Sequence, residues 1–313
     1  MTWTALALDR PPRSAPYNTL VQLRQALHSA IAQLEAAAIE EARLHAEVLV
    51  FHVLHCDRAY LFAHPERELT SAEQSQYDRL VARRAAGEPL QYLTGHQAFW
   101  KADFLVTPAV LIPRPETEHL IEAVLDLVRY FYPACGAGLG PRLKLIDVGT
   151  GSGAIAITLA RELPQAELHA VDLSPEALEV ARLNAARLNA QHLGARVHFA
   201  QSDVLAAVTR DASFDFVVSN PPYVGRDEAD KVQEVVRHYE PPMAVFAGDD
   251  GLDVIRRLIP QAWEALRPGG WLLMEIGYTQ SEVVRALLGG WHNVHTVADL
   301  AGIPRVIVAR KPV

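Results

Sequence analysis

Asp147-Val148-Gly149-Thr150-Gly151-Ser152-Gly153-Ala154 is the stretch that decides how this chain is read. It follows the apolar run Leu143–Val148 and opens a helical pattern over Ala154–Glu162, so it is a strand–loop–helix junction. Glycines in such a loop let the backbone turn sharply and bring a ligand against bare main chain. Gly149, Gly151 and Ala154 also satisfy the dinucleotide pattern G-x-G-x-x-G/A, so the loop alone does not choose its ligand.

Two acids narrow the choice. Asp147 stands two residues before the first glycine, where a carboxylate can hold an ammonium and would repel a pyrophosphate. Asp172 closes the next predicted strand about 23 residues after Gly149, in position to take both ribose hydroxyls. S-adenosylmethionine needs both partners, and the loop is read as its cofactor loop. Asp203, after the third predicted strand, is expected to accept from the adenine amine while Val204 packs on the ring. A helix N-cap is the plainer role for Asp203, and the two are compatible.

Outward from the loop, strands and helices alternate. Strands are predicted at Glu167–Asp172, Arg196–Ala200, Phe214–Ser219, Trp271–Ile276, His292–Val297 and Arg305–Ala309, with helices at Pro175–Asn189 and Leu252–Leu266. This order implies a parallel sheet covered by helices on both faces, after a loop at Tyr132–Pro141. Asn220-Pro221-Pro222-Tyr223 then falls at the carboxyl end of the fourth strand, beside the switch point where such sheets place ligands. A planar amide or aromatic amine is a weak nucleophile, because its lone pair is delocalised. It has to be held in line, with acceptors on both hydrogens. The Asn220 side-chain oxygen and the Pro221 carbonyl supply them, the prolines fix that carbonyl's direction, and Tyr223 stacks on the flat group.

Upstream the pattern changes. Leu20, Leu23, Leu27, Ile31 and Leu34 make one apolar helix face, and Ala42, Ala46, Leu49, Val50 and Val53 make another. Thr70 to Glu73 has capping-box spacing, with the helix it opens stopping at Gly87. Phe99, Trp100, Phe104, Val106, Val110 and Ile112 suggest a hairpin between two domains. Pro115 suits a first helical turn, with Glu116 and Glu118 at its positive end. The expected division is a loose tail at 1–16, a helical domain at 17–90, a hairpin linker at 91–113 and an α/β domain at 114–313.

Composition sets limits. Of the 313 residues, 29 are Lys or Arg and 37 are Asp or Glu, a net charge of −8 that disfavours a phosphate-gripping protein. Residues 17–90 carry seven arginines, no lysine and ten acids. Two cysteines are too few for a disulfide framework, and no apolar run approaches the roughly 20 residues of a membrane span. A cytoplasmic protein, free of membrane and nucleic acid, is expected. His45, His52, His55 and Cys56 share one predicted helix, but without a second ligand cluster no metal site is assigned. Glu275 reads as a hydrogen-bonded carboxylate at a strand end.

Taken together, the chain resembles the HemK/PrmC family of protein-(glutamine-N(5)) methyltransferases, which modify peptide chain release factors. The resemblance spans about residues 20–311. It rests on Gly87-Glu88-Pro89-Leu90-Gln91-Tyr92-Leu93-Thr94-Gly95, Phe99-Trp100, Leu111-Ile112-Pro113-Arg114-Pro115-Glu116-Thr117-Glu118 and Asp299-Leu300-Ala301-Gly302-Ile303-Pro304-Arg305. The glycine loop and the Asn220–Tyr223 tetrapeptide complete it, and the Arg-Pro-Glu-Thr-Glu stretch is its most specific mark.

The resemblance implies a seven-stranded class I (Rossmann-like) methyltransferase sheet, with the helical bundle joined to it by the hairpin. It implies that Gly149, Thr150, Gly151, Ser152, Gly153, Asp172, Val204 and Asn220 contact S-adenosylmethionine, leaving S-adenosylhomocysteine as product. It further implies that Asn220, Pro221, Pro222 and Tyr223 hold the glutamine of the Gly-Gly-Gln loop of a class 1 release factor, with Asn220 and Pro221 at the chemistry. Some members carry an aromatic residue where this chain has Val204. A monomer is expected. The competing readings are glutamine methylation of a large-subunit ribosomal protein, adenine methylation of nucleic acid, and a non-catalytic scaffold; the last conflicts with intact Asp147, Asp172 and Asn220.

Overall fold

The computed structural model describes residues 21–133, 142–188, 196–208 and 212–313. The expected tail at 1–16, Leu20 of the first apolar helix face, most of the Tyr132–Pro141 loop and the helix end at Asn189 lie outside the described residues. The chain divides into two compact units, Met1–Gly87 and Glu88–Val313. The hairpin, expected as a separate linker, falls inside the second unit.

In the first unit, Leu23–Ala36 buries Leu23, Ala26, Leu27, Ala30 and Leu34, so two alanines complete the stripe that leucine spacing outlined. Ala42–Leu54 buries all five expected residues, and Glu47 besides. That carboxylate is 1% exposed and is held by Arg43 at 2.9 Å and Arg58 at 3.2 Å. A short helix at Arg58–Ala63 went unread; Asp57 caps it by accepting from the Tyr60 N–H. Ser71–Ala85 opens with the expected capping box, the Thr70 hydroxyl accepting from Glu73 N and the Glu73 carboxylate from Thr70 N. Gly87 follows its end at φ +97°, a conformation that favours glycine.

The second unit is built on a seven-stranded sheet. Its strands are β3 (Lys144–Val148), β4 (Glu167–Asp172), β5 (Arg196–Gln201), β6 (Phe214–Ser219), β7 (Leu266–Glu275), β8 (His292–Ala298) and β9 (Pro304–Arg310), preceded in sequence by the hairpin β1 (His96–Phe99) and β2 (Ala102–Leu105). The order is β5-β4-β3-β6-β7-β9-β8, with β9 antiparallel to its neighbours and the other named pairings parallel. Both faces are covered, so adjacent residues of one strand serve different cores. Leu145, Phe216, Leu273 and Val308 pack with Leu120, Ile121 and Val124 of the helix Glu118–Phe131 on one face. Ile146, Val217, Leu272 and Ile307 pack with Ile255, Leu258 and Ile259 of the helix Asp253–Ala265 on the other.

The chain runs outward from β3 to β5, then returns to add β6 on the other side of β3. The switch point therefore lies between β3 and β6, where Val148 pairs with Ser219. The Ser219 hydroxyl donates to the Val148 carbonyl at 2.7 Å, which fixes the glycine loop and Asn220 side by side. The hairpin is held by Asn184, fully buried in the helix Pro175–Arg187. Its oxygen accepts from Leu105 N at 2.7 Å, and its Nδ2 donates to the carbonyls of Leu105 and Ser152, each at 2.9 Å. Among the described residues no helix is long and apolar enough to cross a membrane.

Candidate active site

After β3 the loop folds back on β4. Gly149 N and Thr150 N both donate to the Val171 carbonyl, at 2.8 and 3.0 Å, and Gly153 N donates to Thr150 O at 2.8 Å. Gly149, Gly151 and Gly153 have φ of +74°, +55° and +83°. A Cβ on Gly149 or Gly151 would meet nothing within 4 Å, so those two expose bare backbone to open space. A Cβ on Gly153 would lie 2.7 Å from Ile157 Cδ1 and 3.3 Å from Ala181 Cβ, so the third glycine also serves close packing.

The two acids of the loop differ. Asp172 ties β4 to the loop: its Oδ2 accepts from Gly151 N at 2.8 Å and its Oδ1 from Ser174 N at 2.9 Å. Burial raises its carboxyl above the usual range despite those bonds. Asp147 lies under the loop, 1% exposed. Its Oδ2 accepts from the Thr150 hydroxyl at 2.7 Å and Ala156 N at 3.1 Å, while its buried Oδ1 has no hydrogen-bond partner among the described residues. Burial pushes its pKa up to about 7, against the pull of those two donors and with a push from Asp172. An idle, buried carboxylate oxygen is costly unless a cation uses it.

A cavity of about 330 Å³ opens above the loop, within the usual range for a small-molecule site. Gly149, Thr150, Gly151, Ser152, Asp172, Asp203, Val204, Asn220, Pro221 and Pro222 all line it. The bare backbone of Gly149 and Gly151 and the Asp172 carboxylate thus share one cavity. Asp147, expected to hold an ammonium, does not line the cavity: it is buried under the loop. The tetrapeptide leaves β6 with Tyr223 inward, its hydroxyl donating to Glu275 Oε1 at 3.2 Å. The same burial and the neighbouring Glu275 hold the Tyr223 hydroxyl protonated far above its ordinary range. Its carbonyl accepts from Gln280 Nε2 at 2.8 Å, and a Cβ on Gly251 would fall 2.2 Å from that oxygen.

Asp203 pairs with the Arg257 guanidinium at 2.5 Å, both side chains about half exposed. The capping contact at this turn comes from Ser202, whose hydroxyl accepts from Ala207 N at 3.0 Å. Val204 is 8% exposed at φ +53°, a strained conformation for a β-branched residue, which turns it onto the cavity wall. Of the histidine helix, His45 Nδ1 accepts from Arg84 Nε at 3.2 Å, and no group of three metal-ligating side chains is found among the described residues. Sequence reasoning missed Thr117, Arg114 and Arg257 as site residues. Thr117 receives Asn220 Nδ2 at 3.0 Å, and Arg114 lines the cavity while pairing with the buried Glu240.

Residues 25–95 match the PrmC N-terminal domain family, and residues 139–240 match the methyltransferase small domain family. The release factor glutamine methyltransferase of Koribacter versatilis is 57% identical over 93% of this chain and 99% of its own length. That of Escherichia coli is 40% identical over 91% and 97%. In fold, the hMettl16 catalytic domain solved with the MAT2A 3'UTR hairpin 6 aligns at a TM-score of 0.51 and 16% identity, over 81% of this chain and 92% of that one. A glycine cradle and an Asn-Pro-Pro-Tyr turn joined at one switch point, with relatives similar from end to end, lead to one conclusion: the chain belongs to the release factor glutamine methyltransferase family.

Proposed function

We propose that this protein methylates the side-chain amide nitrogen of the glutamine in the Gly-Gly-Gln motif of class 1 peptide chain release factors. The observation that carries the reading is the placement of Asn220 and Pro221 on the same cavity wall as the glycine cradle. S-adenosylmethionine supplies an electrophilic methyl group when bound. Gly149 to Gly153 receive it against main chain, Asp172 takes the ribose hydroxyls, and the charge of Asp147 draws the ammonium. Asp203 and Val204 take the adenine edge and face.

Asn220 Oδ1 and the Pro221 carbonyl accept the two hydrogens of the glutamine amide and aim its nitrogen. Both acceptors strengthen as positive charge develops on that nitrogen, which is the contribution to the barrier. The chain's own residues remove no proton before transfer, since the methylated amide nitrogen is acidic enough to lose its proton unaided. Tyr223, expected to stack on the flat substrate group, does not line the cavity; it braces the tetrapeptide from behind through its hydroxyl on Glu275.

The helical domain, expected at residues 17–90, is assigned the docking of the protein substrate. Every residue lining the cavity belongs to the unit Glu88–Val313, and the chain is read as a monomer. The net charge of −8 and the scarcity of cysteine favour a cytoplasmic protein that works off nucleic acid. Labelled S-adenosylmethionine offered with release factor, ribosomal protein and DNA tests the reading. Label is expected in release factor glutamine; label in ribosomal protein or DNA alone overturns it.

A further inference from the structure

Three side chains far apart in sequence meet behind Asn220. Thr117, 4% exposed, ends the turn Pro115–Thr117; Glu275, 2% exposed, ends β7; Asn220 follows β6. Asn220 Nδ2 donates to Thr117 Oγ1 at 3.0 Å, and Thr117 Oγ1 donates to Glu275 Oε2 at 2.6 Å. Glu275 Oε1 is already taken by the Tyr223 hydroxyl at 3.2 Å. A hydroxyl has one hydrogen. With that hydrogen committed to a carboxylate, Thr117 offers Asn220 only lone pairs, and only the NH₂ side of the amide can face it. The Asn220 oxygen is left for the cavity, with no partner among the described residues.

We propose that Thr117 and Glu275 are positioning residues that set which end of the Asn220 amide meets the substrate. An amide turned over would aim N–H groups at the N–H groups of the glutamine, and acceptance would become repulsion. The inference rests on the reading of Asn220 as the acceptor for the glutamine amide. It adds that the oxygen's direction is imposed from about one hundred residues upstream and fifty downstream, through a single hydroxyl.

The direction of the relay depends on the charge of Glu275. Once protonated, the carboxyl becomes a donor, the Thr117 hydrogen is released, and the amide loses its reason to keep its orientation. Burial raises the Glu275 carboxyl; Glu116 adds to the rise, while the Thr117 and Tyr223 hydrogen bonds and Arg305 oppose it. Arg305 is itself engaged by Asp299 at 2.8 Å. Activity is therefore present above the Glu275 pKa and falls as pH drops through it.

Four variants of the full chain test this with release factor as substrate: Thr117→Val, Thr117→Ser, Glu275→Gln and Asn220→Ala. Thr117→Val keeps shape and removes the hydroxyl. Its kcat should fall about tenfold to a hundredfold, with KM for the release factor and the calorimetric Kd for S-adenosylmethionine held near native. Thr117→Ser restores the hydroxyl and should recover most of kcat. Glu275→Gln should lower kcat and abolish the acid limb of the pH–rate profile. Native kcat in Thr117→Val, equal losses in Thr117→Val and Thr117→Ser, or a loss confined to KM would overturn the relay. Full activity in Asn220→Ala would instead overturn the acceptor reading itself, so the two failures are separable.

Discussion

The two halves of the site each rest on a buried carboxylate, and the two are used in opposite ways. Asp147 has one oxygen occupied and one idle, and both of its donors lie within nine positions of it. Glu275 has both oxygens occupied, by residues 158 and 52 positions away. The donors of Asp147 are local, supplied by the loop and the helix that follows it. The donors of Glu275 come from distant parts of the unit Glu88–Val313, the turn Pro115–Thr117 and the tetrapeptide after β6. Under the proposed function, the idle Asp147 oxygen serves a ligand's charge and the saturated Glu275 holds geometry.

The strongest way to break this contrast lies at the saturated half. Asn220→Ala removes the acceptor that the relay serves, and turnover on release factor should drop by roughly a hundredfold or more, by analogy with loss of one oxyanion-hole contact. Asn220→Asp keeps an acceptor and loses the donor to Thr117, so single-turnover rates should fall between alanine and native. Next comes Asp172→Ala. Losing the charge-assisted hydrogen bonds to ribose, together about 1.4–4 kcal/mol, should weaken cofactor binding tenfold to a thousandfold by calorimetry. Unchanged affinity would place the ribose elsewhere.

A subtler test addresses the idle oxygen. Burial raises the Asp147 pKa to about 7 in the protein alone, so protonation favours the fold in acid and that contribution is lost as pH rises through 7. A nearby ammonium favours the ionised form. Cofactor binding should then release a proton, and affinity should rise about tenfold between pH 6 and pH 8. Asp147→Asn should flatten that dependence; a native profile already flat would separate Asp147 from the ammonium. The smallest effects concern the loop itself. Gly149→Ala should cost about 1–2 kcal/mol of stability through its backbone conformation. Gly153→Ala adds a clash with Ile157 and should melt lower still, by about 1–3 kcal/mol.

The same contrast governs what could be read from the chain. The helix Ala154–Glu162 and the strands Glu167–Asp172 and Phe214–Ser219 occupy the residues that their apolar pattern marks. Each is long enough to show a period. The helix Ser281–Leu287 and the short turns between Arg226 and Val245 are not, and they passed unread. Arg267-Pro268-Gly269-Gly270 looks like a turn, yet it lies inside β7, which spans Leu266–Glu275 and pairs with β6 across a bulge. In the site, loop and tetrapeptide were visible because their chemistry is written in adjacent residues. The partnership of Thr117 with Glu275 was not, because no spacing links residues brought together only by β7 and the turn before Glu118. Arg257 beside Asp203 was hidden for the same reason.

Asn184 carries a last consequence. Its amide joins the hairpin strand β2 to the glycine loop through Leu105 and Ser152, so the two ought to open to solvent as one cooperative unit. Cofactor seated on the loop would then slow deuterium uptake at the Leu105 amide, a probe outside the loop and remote from it in the chain. An allele that damages Asn184 would present as a cofactor-binding defect while leaving every ligand-contacting side chain intact.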